Sequence, residues 1–142
     1  MHPTVDEQDA REKGDTMPLV RISLREGKPP EFHKSLMEQI YLAMRSAMGT
    51  PEHDRFAVIS EHSESCYNNS GDFLGIDRSD DHMILQITVL AGRSVDQKKA
   101  LYATIAENLS VELNVRKEDI FISLLEVAKE DFSLGNGVAQ FA

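Results

Sequence analysis

Arg93 stands in Ala91-Gly92-Arg93-Ser94, where an apolar run gives way to a segment that opens like a helix. A guanidinium beside the N–H groups of a helix start can hold a substrate carboxylate. The alternative is a solvated turn arginine. Lys28, in Glu26-Gly27-Lys28, is a second cation at a similar turn. Asp54 and Asp119 each stand just before a short apolar run, where an aspartate shapes the turn entering a strand. Pro18 opens an apolar run, and proline is tolerated as the first residue of a strand. His2, His33, His53, His62 and His82 show no metal-ligand spacing, so no metal site and no metal cofactor is expected. His62-Ser63-Glu64-Ser65-Cys66 has no supporting nucleophile motif, and no glycine-rich phosphate loop is present.

These residues need a scaffold, and 142 residues suffice for one domain with its own core. With 24 Asp+Glu against 15 Lys+Arg, the formal charge of −9 argues against nucleic acid and against anionic membrane surfaces as partners. No run of about 18 apolar residues exists to span a bilayer. The single cysteine, Cys66, fits a reducing, cytoplasmic setting. Residues 1–17 are acidic and almost without large aliphatic side chains; they are expected to form a flexible extension, or to precede the true start at Met17.

Sliding the sequence against itself by 65 residues superposes residues 18–61 on 83–126. Ile22/Ile87, Gly27/Gly92, Leu36/Leu101, Ile40/Ile105, Asp54/Asp119, Phe56/Phe121 and Glu61/Glu126 are identical pairs, and Lys28 falls on Arg93. Each half reads strand, helix, strand. Val20, Ile22 and Leu24 alternate as in a strand. Phe32, Leu36, Ile40, Met44 and Ala47 follow helical spacing, with Pro30 in the first turn and Gly49 beyond the last. Phe56–Ile59 reads as a buried strand. Residues 83–90 read as a central strand covered on both faces. Ser94-Val95-Asp96-Gln97 has the form of a capping box before the stripe Leu101, Ile105, Leu109, Leu113.

The fold class is therefore α/β (α+β): two tandem β-α-β units in one four-stranded mixed sheet with both helices on one face. The other face is apolar and needs a cover, which self-association would supply. Residues 62–82 form a polar linker whose middle Leu74-Gly75-Ile76 is expected to anchor, and 128–142 read as a C-terminal hairpin about Gly135-Asn136-Gly137. Residues 18–142 make up the single domain.

Met17-Pro18-Leu19-Val20, the two glycine turns and Glu126-Val127-Ala128-Lys129-Glu130-Asp131-Phe132-Ser133-Leu134-Gly135-Asn136-Gly137 together resemble the tautomerase superfamily. The last of these is similar to the segment closing the short 4-oxalocrotonate tautomerase subunit. The doubled length and Gly49-Thr50-Pro51-Glu52-His53-Asp54-Arg55 resemble its malonate semialdehyde decarboxylase branch. The resemblance implies a catalytic amino-terminal proline at Pro18, a substrate-binding arginine at Arg93 with Lys28 as a secondary cation, and an apolar wall at Phe132. It implies that Asp54 assists water or a departing carboxylate. The branch has a second arginine where this chain has Ala91, which departs from strict decarboxylase chemistry.

An unacylated proline is a secondary amine, which burial beside cations turns into a base near neutral pH. With residues 1–17 attached, the Pro18 nitrogen is an amide without basicity. The expected function is cofactor-independent proton transfer in a small carboxylated oxo or enol substrate by a homotrimer. The alternatives are a decarboxylase-like or hydratase-like lyase with protonated Pro18, and a catalytically silent trimeric binding protein.

Overall fold

The computed structural model describes residues 18–142, so the reading of residues 1–17 lies outside the described residues. Four strands and two long helices follow in the order β1 (Leu19–Arg25), α1 (Pro30–Met48), β2 (Ala57–His62), β3 (Met83–Leu90), α2 (Val95–Leu113) and β4 (Ile120–Val127). The sheet order is β2-β1-β3-β4. Strands pair in parallel within each half, β1 with β2 and β3 with β4, and the halves join through the antiparallel β1–β3 pair. Two parallel β-α-β halves in one four-stranded mixed sheet are thus present, as the repeat implies.

Local chemistry sets the boundaries. Pro29 in an extended conformation precedes α1, and Pro30 occupies its first turn, where no N–H is missed. Gly49 ends α1 in the left-handed region, its N–H donating to the Arg45 carbonyl at 3.1 Å. α2 begins with the expected capping box: Gln97 N–H donates to Ser94 Oγ at 3.1 Å, and Ser94 N–H donates to Gln97 Oε1 at 3.0 Å. Gly27 and Gly92, one repeat apart, both adopt φ near +120°, at +120° and +118°, which side-chain-bearing residues avoid.

The core lies between the helices and one sheet face. Val20, Ile22 and Leu24 of β1 and Met83, Leu85, Ile87 and Val89 of β3 meet Leu36, Ile40 and Met44 of α1 and Leu101, Ile105 and Leu109 of α2. Two strand expectations change. β3 is central, but its opposite-face residue Gln86 is exposed in the single chain. β2 lies at the sheet edge, so the expected buried strand has no fully buried residue. The outer face carries Leu19, Val58, Phe121 and Leu125, the last three 50–60% exposed.

The linker is anchored elsewhere than expected. Leu74 is 79% exposed and anchors nothing. Buried polar pairs do the work instead. The Tyr67 hydroxyl and His82 Nδ1 form a 2.7 Å hydrogen bond. Asp119, 1% exposed, accepts from Ser79 N–H and from Ser79 Oγ, both at 2.6 Å. Residues 128–142 form no hairpin ladder among the described residues. A 3-10 turn spans Lys129–Asp131, and Gln140 accepts from Leu134 N–H at 2.9 Å and donates to the Gly135 carbonyl at 2.8 Å. The Gly135-Asn136-Gly137 turn does take positive φ throughout, but two strands without a third neighbour are marginal in water.

Candidate active site

The pairing register decides which candidate residues share one end of the sheet. β1 and β2 begin together, with Val20 opposite Ala57. Antiparallel pairing sets Leu19 opposite Thr88, near the end of β3, and β3 and β4 finish together at Leu90 opposite Val127. Pro18, Asp54 and the Arg93 turn therefore belong to this end, and the segment that carries Phe132 leaves β4 from it. Lys28 follows the far end of β1, where Arg25 pairs with His62. There it lies 3.2 Å from Asp81 and 5.3 Å above the Phe32 ring. Lys28 and Arg93 are equivalent in the repeat and opposite in space.

A cavity of about 280 Å³ opens at the Pro18 end. Pro18 and Asp54, both buried, line it together. Its walls are largely apolar, from Val20, Met37, Ile40, Met44, Phe56 and Ala57. Lys34, Glu38, Tyr41 and Arg55 complete the lining. Arg93 and Phe132, each partly buried, lie outside this lining.

Three of the lining residues act as a unit that the sequence did not single out. Arg55 pairs with Glu38 of α1, and its guanidinium lies 3.8 Å from the Tyr41 ring centroid. Arg45 Nη1 also donates to the Tyr41 hydroxyl at 3.2 Å. Arg55 was visible inside the Gly49–Arg55 motif, but nothing in that motif joins it to α1. The helical step from Glu38 to Tyr41 does put those two residues on one side of the helix.

The Arg93 turn is fixed by Glu126, which the repeat and the C-terminal segment marked without giving it a role. Gly92 N–H donates to Glu126 Oε2 at 3.1 Å, and Lys98 pairs with the same carboxylate. These hydrogen bonds, that from Lys98 first, hold the Glu126 carboxyl below its usual range. In the first half the equivalent Glu61 lies 3.3 Å from His33 Nε2.

A buried proline thus opens the first strand of a doubled β-α-β subunit and shares the lining of a largely apolar cavity with a buried aspartate. The chain belongs to the tautomerase family: the family model described as tautomerase enzyme matches residues 54–135. The probable tautomerase YusQ of Bacillus subtilis is 39% identical over 124 residues, 87% of this chain and 98% of that protein. The probable tautomerase YrdN of the same organism is 30% identical over 125 residues, 88% of this chain and 96% of that protein. A solved malonate semialdehyde decarboxylase, described with decarboxylase and hydratase activities, superposes with a TM-score of 0.82 at 28% identity, over 87% of this chain and 95% of that one. A fused 4-OT symmetric trimer shares the fold, with a TM-score of 0.73 at 21% identity, over 87% of this chain and 97% of that one. No helix among the described residues is long and apolar enough to cross a membrane.

Proposed function

We propose that the protein is a cofactor-independent tautomerase that moves a proton between carbon and oxygen in a small carboxylated oxo or enol compound. The observation that carries this reading is Pro18, buried at the wall of a largely apolar cavity that also holds Asp54. In that setting an unacylated proline nitrogen loses solvation for its charged form, which favours the neutral amine and makes it a general base near neutral pH. Arg93, at the same end of the sheet and beside the N-terminus of α2, is the proposed carboxylate holder, with Phe132 as an apolar wall. Lys28 belongs to the opposite end within one chain, so it reaches a substrate only in a site shared with a second copy. The exposed apolar outer face supports such self-association, and a homotrimer is the proposed assembly. A cytoplasmic setting is proposed on the use of a single cysteine, Cys66.

The reading requires removal of residues 1–17, so that Pro18 becomes the first residue. Asp54 in the Pro18 cavity favours one second reading: a lyase of the decarboxylase or hydratase kind, in which protonated Pro18 is the acid and Asp54 directs water or the departing carboxylate.

The deciding experiment is the amino-terminal mass of protein from its native host, followed by ketonisation of phenylenolpyruvate across pH. A Pro18 amino terminus, turnover falling as pH drops below neutrality, and a loss of about 100-fold or more in kcat for Pro18→Ala support the tautomerase. Turnover that instead falls as pH rises supports the lyase. Equal turnover by a chain that retains residues 1–17 refutes both.

A further inference from the structure

We infer that Arg55 is a substrate-binding residue that makes the Pro18 cavity select acids bearing a second carboxylate at the end remote from the reacting carbon. The inference rests on reading that cavity as the substrate site. A largely apolar cavity rejects a buried carboxylate unless a cation meets it. Arg55 and Lys34 are the cations in the lining. Of the two, Arg55 is prepositioned. The Tyr41 ring supports its guanidinium from a centroid distance of 3.8 Å, and Glu38 takes Nη1. Stacking on one face and pairing at one edge leave the plane of the fork fixed, with further N–H groups to offer a ligand. Tyr41 is fixed in turn, because Arg45 donates to its hydroxyl at 3.2 Å. A lysine at position 55 would provide charge without this planar registration.

Glu38 gives the idea a sign that packing alone would not give. Its carboxylate already occupies part of the fork and competes with any incoming anion. Removing that charge should tighten binding of a ligand carboxylate, whereas removing Arg55 should weaken it. A purely structural role for the Glu38–Arg55 pair predicts that both substitutions act in the same direction.

The test uses calorimetric binding of two unreactive acids, 3-phenylpropanoate and 3-(4-carboxyphenyl)propanoate, to the native chain with the amino terminus its host leaves. These ligands differ only in the remote carboxylate. The wild type should bind the dicarboxylate about tenfold more tightly, the effect of one charge-assisted hydrogen bond. Arg55→Gln should bring that ratio close to one, Arg55→Lys should keep part of it, and Glu38→Gln should widen it. A wild-type ratio near one, or a ratio unmoved by Arg55→Gln, overturns the inference, as does a narrower ratio in Glu38→Gln. Protection of Pro18 from bromopyruvate separates this failure from failure of the underlying reading. If the cavity is not the substrate site, neither acid protects Pro18, and the inference falls with that reading. If only the role of Arg55 is wrong, both acids still protect and only the ratio is lost.

Discussion

Replacing Asp119 by alanine tests whether the two aspartates at equivalent repeat positions have different jobs. Asp119 is 1% exposed, and its two oxygens accept 2.6 Å hydrogen bonds from the N–H and the hydroxyl of Ser79. Arg116 Nη1 lies 3.7 Å from the same carboxylate. A hydrogen bond to a charged group contributes about 1.5–3 kcal/mol, and the alanine variant leaves both Ser79 donors without their acceptor. Against this, the variant no longer has to desolvate a carboxylate, so the net loss is about 2–4 kcal/mol. Ser79→Ala removes only the hydroxyl donor and should cost about 1 kcal/mol. Urea unfolding followed by circular dichroism, at one fixed protein concentration because association adds to apparent stability, reads both values. Turnover is measured at a temperature where each variant is folded. Asp119 lies at the opposite end of the sheet from Pro18, so its loss should lower the urea midpoint and leave kcat/KM within about twofold. Asp54→Asn should do the reverse, lowering kcat/KM by more than tenfold with a smaller change in midpoint. An unfolding free energy for Asp119→Ala within about 1 kcal/mol of wild type, or a folded Asp119→Ala protein without turnover, would refute the assignment of Asp119 to linker anchoring.

Other outcomes follow from the same structure. Burial first, then the nearby Arg78 charge, lowers the His82 pKa below its ordinary 6.5, while burial pushes the Tyr67 hydroxyl up to about 12. The unfolded chain therefore binds a proton at His82 more readily than the folded one, and stability contributed above pH 6.5 is lost as pH falls toward the lower folded value. His82→Asn, which keeps a polar atom near the Nδ1 position, should flatten that acid limb in melting scans between pH 7 and 5; an unchanged limb would count against the buried pair as its source. Ser94→Ala removes the acceptor for Gln97 N–H at the start of α2 and should cost about 1 kcal/mol, or a few degrees in melting temperature. Because Arg93 precedes this cap directly, the same variant should raise KM for phenylenolpyruvate more than it lowers kcat, and an unchanged KM would show that the cap does not position Arg93.

What the sequence shows depends on whether the determining interactions are local. The alternation of Val20, Ile22 and Leu24, the Pro30 and Gly49 boundaries and the Ser94 capping box rest on a few neighbouring residues, and the structure keeps all of them. The positive-φ glycines at positions 27 and 92 are equally legible, since no side chain suits that turn. Pro18 and Asp54 could be named from sequence, yet their meeting in one cavity depends on β1 and β2 starting in parallel register. The Glu38–Tyr41–Arg55 unit was illegible for a similar reason: a helix surface and a strand-entry turn supply its parts, and only packing of α1 brings them together. Linker anchoring misled in the other direction. Leu74 and Ile76 looked like apolar anchors, but buried hydrogen bonds of Tyr67 and Ser79 fasten the segment, and polar anchoring leaves no periodic trace.

The repeat explains why equivalent residues do not share a site. Each half is parallel within itself, while the two halves meet antiparallel at β1 and β3, so every repeat position is sent to the opposite end of the sheet. One end receives Pro18, Asp54 and Arg93; the other receives Met83, Asp119 and Lys28. At the second end the linker returns its own carboxylates to the cations, Asp80 to Arg25 at 2.7 Å and Asp81 to Lys28 at 3.2 Å, while Ser79 occupies Asp119. Those exposed ion pairs contribute little on their own. The buried Tyr67–His82 contact and the partly buried Ser79–Asp119 contact hold the segment in place, and the ion pairs then neutralise the cations. Duplication thus gave two ends with related residues. The chain joining the halves crosses one of them and pairs with its carboxylate and cations, while the cavity with Pro18 in its wall lies at the other.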